Sequence, residues 1–193
     1  MGTVQLFFPE IHLTPGPSPA LAALTGEGSG TPAGFGAVKG RRPAAVKDTT
    51  VDCDLEVLFP EEYIESTRER VRLYRELDEI LNEQALESFA NQLVDRFGPL
   101  PVQTVDLLNV VRLRWVAQEI GIERIQLKNS RMVCYFISNQ NSSYYQSPEF
   151  SRVLQFVQRS PKSCHMKEAS GKLTLSFEGI RAVKRALDIL KSI

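Results

Sequence analysis

The chain is poor in the residues that build disulfide frameworks and metal sites. Its 193 residues include 3 cysteines, and no two of these have the C-x-x-C spacing of a zinc site. An odd number of widely spaced cysteines also argues against a secreted disulfide scaffold. The 2 histidines, His12 and His165, are too few for a histidine-based metal centre. We therefore expect no bound metal and no disulfide.

Net charge and long apolar runs are absent as well. The 23 Lys and Arg balance the 23 Asp and Glu, and a formal net charge of zero disfavours a general nucleic-acid binder. No segment approaches the roughly 18 consecutive apolar residues of a membrane span. The N-terminus lacks the basic and apolar regions of a signal peptide. These features predict a cytoplasmic protein with reduced thiols and no membrane association.

Composition changes near residue 50. Residues 14–45 are rich in Gly, Pro, Ala, Ser and Thr, and the stretch Thr14–Pro19 can continue neither a helix nor a central strand. Such a composition buries too little apolar surface to offset the entropy lost on ordering the chain. We predict a Gly/Pro-rich linker or disordered tail at residues 1–50 and a folded domain at residues 51–193.

Beyond residue 50 the apolar pattern predicts a mixed α+β domain. Residues 51–57 alternate as in a half-buried strand, and Ser66-x-x-Glu69 is a capping-box signal that starts a helix. Gly98 and Gly121 suit helix stops. The predicted order is an N-terminal strand, a three-helix segment, and then β-β-α-β-β-α with a mostly antiparallel sheet.

Helical spacing predicts which side chains form the apolar faces of these helices. The run Met132–Ile137 is predicted to be a strand buried on both faces. The apolar helix positions relevant below are Val71, Tyr74, Leu77, Leu81, Leu86, Phe89, Leu93, Phe97, Val105, Leu108, Val111, Trp115, Phe150, Val153, Leu154, Val157, Ile180, Val183, Leu187 and Leu190.

The residues that could carry catalysis do not form a convincing set. The stretch Gly34–Lys39 loosely resembles a nucleotide loop, but it neither follows a predicted strand nor opens a helix. Cys164 and His165 are adjacent, so on a strand they point to opposite faces, and Cys164 is better interpreted as a buried structural thiol. The many carboxylates fall on polar helix faces, with i,i+4 partners such as Arg72–Glu76. We expect neither an enzyme nor a cofactor.

Three short motifs resemble one known family. Residues 93–101 read LVDRFGPLP, Phe59-Pro60-x-x-Tyr63-Ile64 lies upstream, and Ala117-x-x-Ile120-Gly121-Ile122 lies downstream. In this order and spacing they resemble the C-terminal domain of bacterial transcription-repair coupling factor (Mfd). The resemblance covers residues 51–193.

The resemblance implies a role in regulation. The family's full-length protein is an ATP-driven DNA translocase that displaces stalled RNA polymerase and recruits UvrA. ATP and magnesium belong to its motor, and a Gly/Pro-rich segment stands where that motor would lie. We therefore expect this chain to be a fragment, with no cofactor of its own.

The resemblance also implies a docking surface. The C-terminal domain docks on the parent's UvrB-like module, where it restrains the motor and hides the UvrA-binding surface. The contact residues would be Gln92, Asp95 and Arg96, with neutral Gln92 standing where relatives have an acid. UvrA and RNA polymerase would be indirect partners, and DNA is not expected to bind this domain directly.

Two alternatives stay open at this stage. One is a stand-alone nucleic-acid-binding module with salt-dependent affinity. It would use Arg112, Arg114, Arg124 and Lys128 with Tyr144 and Tyr145, although tyrosines that pack back onto the sheet are an equal interpretation. The other is an enzyme built around Cys164 and His165 or around the carboxylate-rich helices.

Overall fold

The structure, a computed structural model, describes residues 45–139, 141–161, 163–169 and 171–193. Most of the predicted linker at residues 1–50, the Gly34–Lys39 stretch and Ser170 lie outside these residues. In chain order the elements are β1 (Thr50–Cys53), α1 (Thr67–Asp78), α2 (Glu83–Phe97), α3 (Val102–Ile120), β2 (Ile122–Lys128), β3 (Arg131–Phe136), a 3-10 helix (Ser143–Gln146), α4 (Pro148–Arg159), β4 (Cys164–Ala169), β5 (Lys172–Glu178) and α5 (Val183–Lys191).

The strands form one sheet in the order β1-β2-β3-β5-β4. β1 pairs with β2 in parallel, and the other three pairs are antiparallel. The turn between β2 and β3 holds Asn129 at φ 54° and Ser130 at φ 57°, as expected of a two-residue hairpin turn that matches the strand twist. The predicted α+β class and mostly antiparallel sheet are confirmed.

Side chains cap the starts of three helices. The side chains of Ser66, Asn82 and Ser147 accept hydrogen bonds from the first-turn backbone N–H groups of α1, α2 and α4. Each cap satisfies one of the backbone donors that a helix start leaves without an intrahelical partner. Gly98 ends α2 at φ 86°, and Gly121 ends α3 in the left-handed region at φ 92°.

Two hydrophobic cores share the helix α3. Val110, Leu113, Ala117 and Ile120 belong to a sheet core that also contains the inner side chains of β1 to β5 and residues of α4 and α5. Leu107, Leu108 and Val111 belong to a helical core with α1, α2, Phe59 and Ile64. Within α3 these two sets lie on different faces, so α3 is apolar around most of its circumference.

Two strand predictions need correction. β1 ends at Cys53 and not at residue 57, because the chain bends after Cys53, where the Asp54 carboxylate accepts a hydrogen bond from the N–H of Asn129. Val57 is nevertheless buried, which explains why the alternation continues past the strand. β3 is not buried on both faces: Met132, Cys134 and Phe136 are buried, whereas the residues between them are partly exposed.

Four predicted core positions are wrong. Val71, Leu81, Val105 and Leu154 are exposed by 45%, 65%, 40% and 39%. Leu81 lies beyond the end of α1 at Asp78, and α1 turns Leu73 and Leu77 inward instead of Val71. The other named positions are buried or partly buried, and Trp115 packs against the helical core as predicted. Among the described residues, no helix is both long and apolar enough to cross a membrane.

Candidate docking surface

The corner between α2 and α3 is held by the residues that carry the family resemblance. The hydroxyl of Tyr63 donates to the carbonyl of Gly98 at 2.9 Å and reaches the carbonyl of Leu93 at 3.2 Å. The Tyr63 ring also meets the Phe97 ring edge to face, with centroids 5.8 Å apart. The Tyr63 motif and the Asp-Arg-Phe-Gly motif therefore meet in space and brace the end of α2.

A second set of contacts orders the loop that carries Tyr63. The guanidinium of Arg70 donates to the carbonyl of Ile64 at 2.7 Å and pairs with Glu61 at 2.8 Å. The N–H of Phe59 donates to the hydroxyl of Tyr74 at 2.9 Å. Because side chains of α1 satisfy these backbone groups, the loop is ordered without regular secondary structure.

The three residues named by the resemblance lie exposed on the C-terminal half of α2. Asp95 forms no side-chain hydrogen bond or ion pair with any described residue. Arg96, in contrast, is held in place by two contacts. Its guanidinium pairs with Glu69 of α1 at 2.6 Å and lies 4.8 Å from the Phe97 ring centroid. Asp95 is thus a free carboxylate beside a positioned arginine.

A shallow groove of about 520 Å³ runs beside Gln92. Ile80, Ala85 and Phe89 supply its apolar part. Its other lining residues are polar: Glu76, Asn82, Gln84, Ser88 and Gln92. The groove lies between the end of α1 and the exposed face of α2, so it adjoins the Gln92–Arg96 surface.

Known proteins resemble this chain over the same region. The family model described as TRCF domain matches residues 53–147, which contain the Tyr63 motif, the Asp-Arg-Phe-Gly motif and the groove. Residues 53–147 are a TRCF domain. The transcription-repair-coupling factors of Rickettsia typhi and Escherichia coli K12 are 26% and 32% identical over 117 and 95 residues, or 61% and 47% of this chain.

The chain spans about a tenth of the length of these relatives, 10% and 8% respectively. A crystal structure of the C-terminal domain of transcription-repair coupling factor superposes with a TM-score of 0.58 at 17% identity, covering 75% of this chain and 91% of that one. At this identity the match shows the fold. The structural match covers more of the chain than the family model does, so the shared fold reaches beyond residues 53–147.

The Glu69 carboxylate of α1 binds two arginines, one on its own helix and one at the end of α2. It accepts hydrogen bonds from Arg72 at 2.9 Å and from Arg96 at 2.6 Å. These bonds, with Arg72 the larger cause, lower the pKa of Glu69 from 4.5 to about 2. The capping-box prediction is confirmed only in part, since Ser66 caps the helix while Glu69 turns to the arginines.

We expect the Glu69 carboxyl to titrate near pH 2 in the folded protein. Its pKa is lowered on folding, so the stabilisation is complete above about pH 4.5 and is lost as the pH falls toward 2. Arg96→Ala leaves Arg72 in place and should raise this pKa part of the way back. Carboxyl NMR titration of both proteins measures the effect, and an unmodified protein that titrates Glu69 near 4.5 would contradict the ion-pair geometry.

The residues of the nucleic-acid alternative are not brought together. Arg112 of α3 pairs with Glu83, and Arg114 of α3 pairs with Asp78 and with Asp48, which precedes β1. Arg124 and Lys128 lie on β2, where Arg124 pairs with Asp52. These cations therefore belong to two separate surfaces.

The two tyrosines of that alternative pack back onto the domain. Tyr144 is 6% exposed, and its hydroxyl donates to the carbonyl of Ile120. Of the two interpretations of Tyr144, the one in which the tyrosine packs back onto the domain is therefore confirmed, and its ring fills the space beside Gly121. Tyr145 is partly buried, and its hydroxyl donates to the carbonyl of Ile137.

The cysteine-based enzyme alternative is contradicted by the geometry. Cys164 is 2% exposed in the sheet core, where its thiol donates to the carbonyl of Ser160 at 3.4 Å and burial raises its pKa. His165 points to the opposite, exposed face of β4. Among the described residues, no three His, Cys, Asp or Glu side chains group as a metal site would require.

Sequence reasoning missed the link between Glu69 and Arg96 and the groove beside Gln92. Glu69 and Arg96 are 27 positions apart, and no local pattern connects them. The groove exists only because α2 folds back beside the end of α1.

Proposed function

We propose that this TRCF domain is a non-catalytic docking and regulatory domain. In a complete transcription-repair coupling factor it would bind the UvrB-like module, restrain the ATP-driven motor and limit access of UvrA. RNA polymerase would be affected only indirectly. The observation that carries the proposal is the exposed carboxylate of Asp95, which pairs with no described residue and lies on a braced helix end next to the groove beside Gln92.

The rigidity of the corner favours docking. Tyr63 and Phe97 order the helix end, and Glu69 positions Arg96 before any partner arrives. A surface that is already ordered loses less conformational entropy on association, so more of the contact energy is retained as affinity. Arg96 would then approach an acceptor on the partner while Asp95 meets a cation.

The groove supplies the apolar part of the contact. Phe89 is only 3% exposed and forms the floor of the groove, whereas Ile80 and Ala85 are partly exposed, so a partner side chain seated there would bury apolar surface mainly against these two. Gln92 at its edge would replace the acid of relatives. The lost salt bridge would weaken an exposed contact by only about 0.2–1 kcal/mol, which docking can tolerate.

The test is calorimetric titration of the full chain into the isolated UvrB-like module of the E. coli relative. We expect saturable binding. Asp95→Lys should weaken it at least tenfold, because the lysine would place a positive charge against the partner cation that Asp95 meets. Asp188→Lys makes the same charge change on α5, outside the corner, and should bind as the unmodified chain does.

Two results would overturn the docking proposal. The first is no saturable binding by a chain whose circular dichroism shows it folded. The second is an equal loss of affinity in Asp95→Lys and Asp188→Lys, which would reflect overall charge and not a contact at the corner.

A further inference from the structure

The zero net charge of the chain hides a strong separation of charge. Residues 124–193 contain 12 Lys and Arg but 4 Asp and Glu, a formal charge of +8. Residues 1–123 contain the other 11 Lys and Arg and 19 Asp and Glu, a formal charge of −8. The basic part comprises most of the sheet with α4 and α5, and such asymmetry is typical of chains that meet a polyanion.

Ion pairing differs between the two parts. Arg70, Arg72, Arg96, Arg112 and Arg114, all in the acidic part, each contact a carboxylate. In the basic part, eight described cations have no carboxylate within the 4.0 Å limit of an ion pair. They are Lys128, Arg159, Lys167, Lys172, Arg181, Lys184, Arg185 and Lys191. Positive charge is therefore left available to an external anion.

One face of the sheet is open among the described residues. The inner side chains of the strands, such as Met132 and Cys134, are buried in the sheet core with residues of α3, α4 and α5. On the outer side the strand register aligns two rows across the central strands. These rows are Arg124–Tyr135–Thr174–Lys167 and Gln126–Val133–Ser176–His165, and we call them the open sheet face.

An aromatic ring occupies the middle of the open sheet face. Tyr135 lies on the central strand β3 and is partly exposed. Its hydroxyl donates to Oε1 of Gln126 at 2.8 Å, which ties the ring to the neighbouring strand. Arg124 is opposite Tyr135 on β2, and Lys167 lies two strands away on the other side. A ring between two cations presents a stacking surface with anion-binding groups on both flanks.

Further polar groups extend this arrangement. Lys128 and Arg131 form the next pair along β2 and β3, and Arg131 remains 47% exposed although it contacts Glu178 at 3.0 Å. The Thr174 hydroxyl donates to the carbonyl of Lys167, and Ser176, which is 5% exposed, donates to that of His165. Thr174 can therefore offer a ligand only its acceptor lone pairs, whereas the amide N–H group of Gln126 can donate. Two of these cations are already paired, Arg124 with Asp52 and Arg131 with Glu178, whereas Lys128 and Lys167 contact no carboxylate among the described residues.

We propose that the open sheet face binds single-stranded nucleic acid. A base stacks on Tyr135, while Lys128 and Lys167 neutralise flanking phosphates and the ion-paired but half-exposed Arg124 and Arg131 offer their remaining N–H donors. Sheet-borne aromatics between cations recognise single strands, because unpaired bases expose the ring faces that a duplex keeps stacked inside. An acidic protein surface would satisfy the cations but would leave the central ring without a stacking partner.

This surface is separate from the proposed docking corner, so the two proposals can fail independently. The proposed docking residues and the groove lie on α1 and α2 of the acidic part, whereas the open sheet face belongs to β2, β3, β5 and β4. A chain docked through Asp95 would thus keep its basic face available for a strand.

Fluorescence anisotropy of a labelled 12-nucleotide single-stranded DNA with the full chain tests the proposal. We expect saturable binding that weakens about sevenfold between 50 and 200 mM salt, as for two neutralised phosphates on a single strand. The corresponding 12-base-pair duplex should bind more weakly than the single strand. An RNA of the same sequence offers the same stacking and phosphate contacts and should bind by the same residues.

Variants separate stacking from charge. Tyr135→Ala should weaken single-strand binding about fivefold or more, whereas Tyr135→Phe keeps the ring and should bind as the unmodified chain does. Lys167→Glu should also weaken binding, while Lys184→Glu makes the same charge change on α5 and should have a smaller effect. Tyr135→Phe keeps the ring and the two lysine variants lie at exposed positions, so these variants remain informative if Tyr135→Ala unfolds.

The proposal is overturned by any of three results with folded protein. These are undetectable binding at 50 mM salt, duplex binding as tight as that of the single strand, and equal effects of Lys167→Glu and Lys184→Glu. Tyr135→Ala that binds normally would also exclude stacking on this ring.

Discussion

Replacing Gly121 with alanine is expected to lower the free energy of unfolding by about 2–5 kcal/mol. Gly121 ends α3 at φ 92°, where an L side chain adds about 1–2 kcal/mol of backbone strain. An added Cβ would also lie 2.3 Å from Cε2 of Tyr144. Forcing extra volume into a packed site adds about 1–3 kcal/mol, so the steric term is at least as large as the backbone term.

The Tyr144 ring cannot easily move away. It is 6% exposed, lies between Phe136 and Phe150 with ring centroids 6.4 and 5.5 Å away, and its hydroxyl is held by the carbonyl of Ile120. Shifting the ring would break that buried hydrogen bond and disturb both aromatic contacts. The clash must therefore be relieved by the backbone at the α3–β2 junction.

Gly98 provides the matched control. It has φ 86°, similar to that of Gly121, but a Cβ there would have no atom within 4 Å. Gly98→Ala should therefore show only the backbone cost of about 1–2 kcal/mol. Urea unfolding of the full chain measures both variants, and a loss in Gly121→Ala no greater than in Gly98→Ala would contradict the close approach of Tyr144.

The two glycines illustrate what could be predicted from the sequence. Both helix stops were predictable, because a glycine followed by prolines or by a strand pattern is a local signal. The contact between Gly121 and Tyr144 was not, since it joins residues 23 positions apart through the packing of a loop onto the sheet. Tyr144 was for that reason open to interpretation as an exposed aromatic.

The candidate sites were predictable to different degrees. The exposed positions of Gln92, Asp95 and Arg96 on α2 agree with the helical pattern, but their selection came from the family resemblance and their role stays a prediction. The separation of charge at residue 124 could have been counted in the sequence, yet the zero sum concealed it. Only the strand register places Tyr135 between Arg124 and Lys167, because pairing partners come from distant positions.

Replacing Leu107 with alanine is expected to destabilise the sheet core as well as the helical core. Leu107 is fully buried in the helical core, and removing its side chain should cost about 2–5 kcal/mol. Because α3 also supplies Leu113 and Ala117 to the sheet core, neither core keeps its packing when α3 is displaced. We therefore expect one cooperative unfolding transition, although the cores are separate clusters.

The cysteines report on the sheet core alone. Cys53, Cys134 and Cys164 are all buried there, and burial raises the pKa of Cys134 to about 12. Thiol reagents attack the thiolate, so labelling at neutral pH requires the core to open. If Leu107→Ala costs about 3 kcal/mol, Cys134 should be labelled roughly 150-fold faster, since each 1.4 kcal/mol corresponds to a tenfold change in the open population.

Leu113→Ala is the matched comparison, because Leu113 is fully buried on the sheet-core face of the same helix. With a shared α3, both variants should accelerate labelling in proportion to the stability that each one loses. An unchanged Cys134 rate in Leu107→Ala, despite lower stability by circular dichroism, would show that the helical core opens alone. In that case α3 would not couple the cores, and a partner docked at the α2 corner could not stabilise the open sheet face through it.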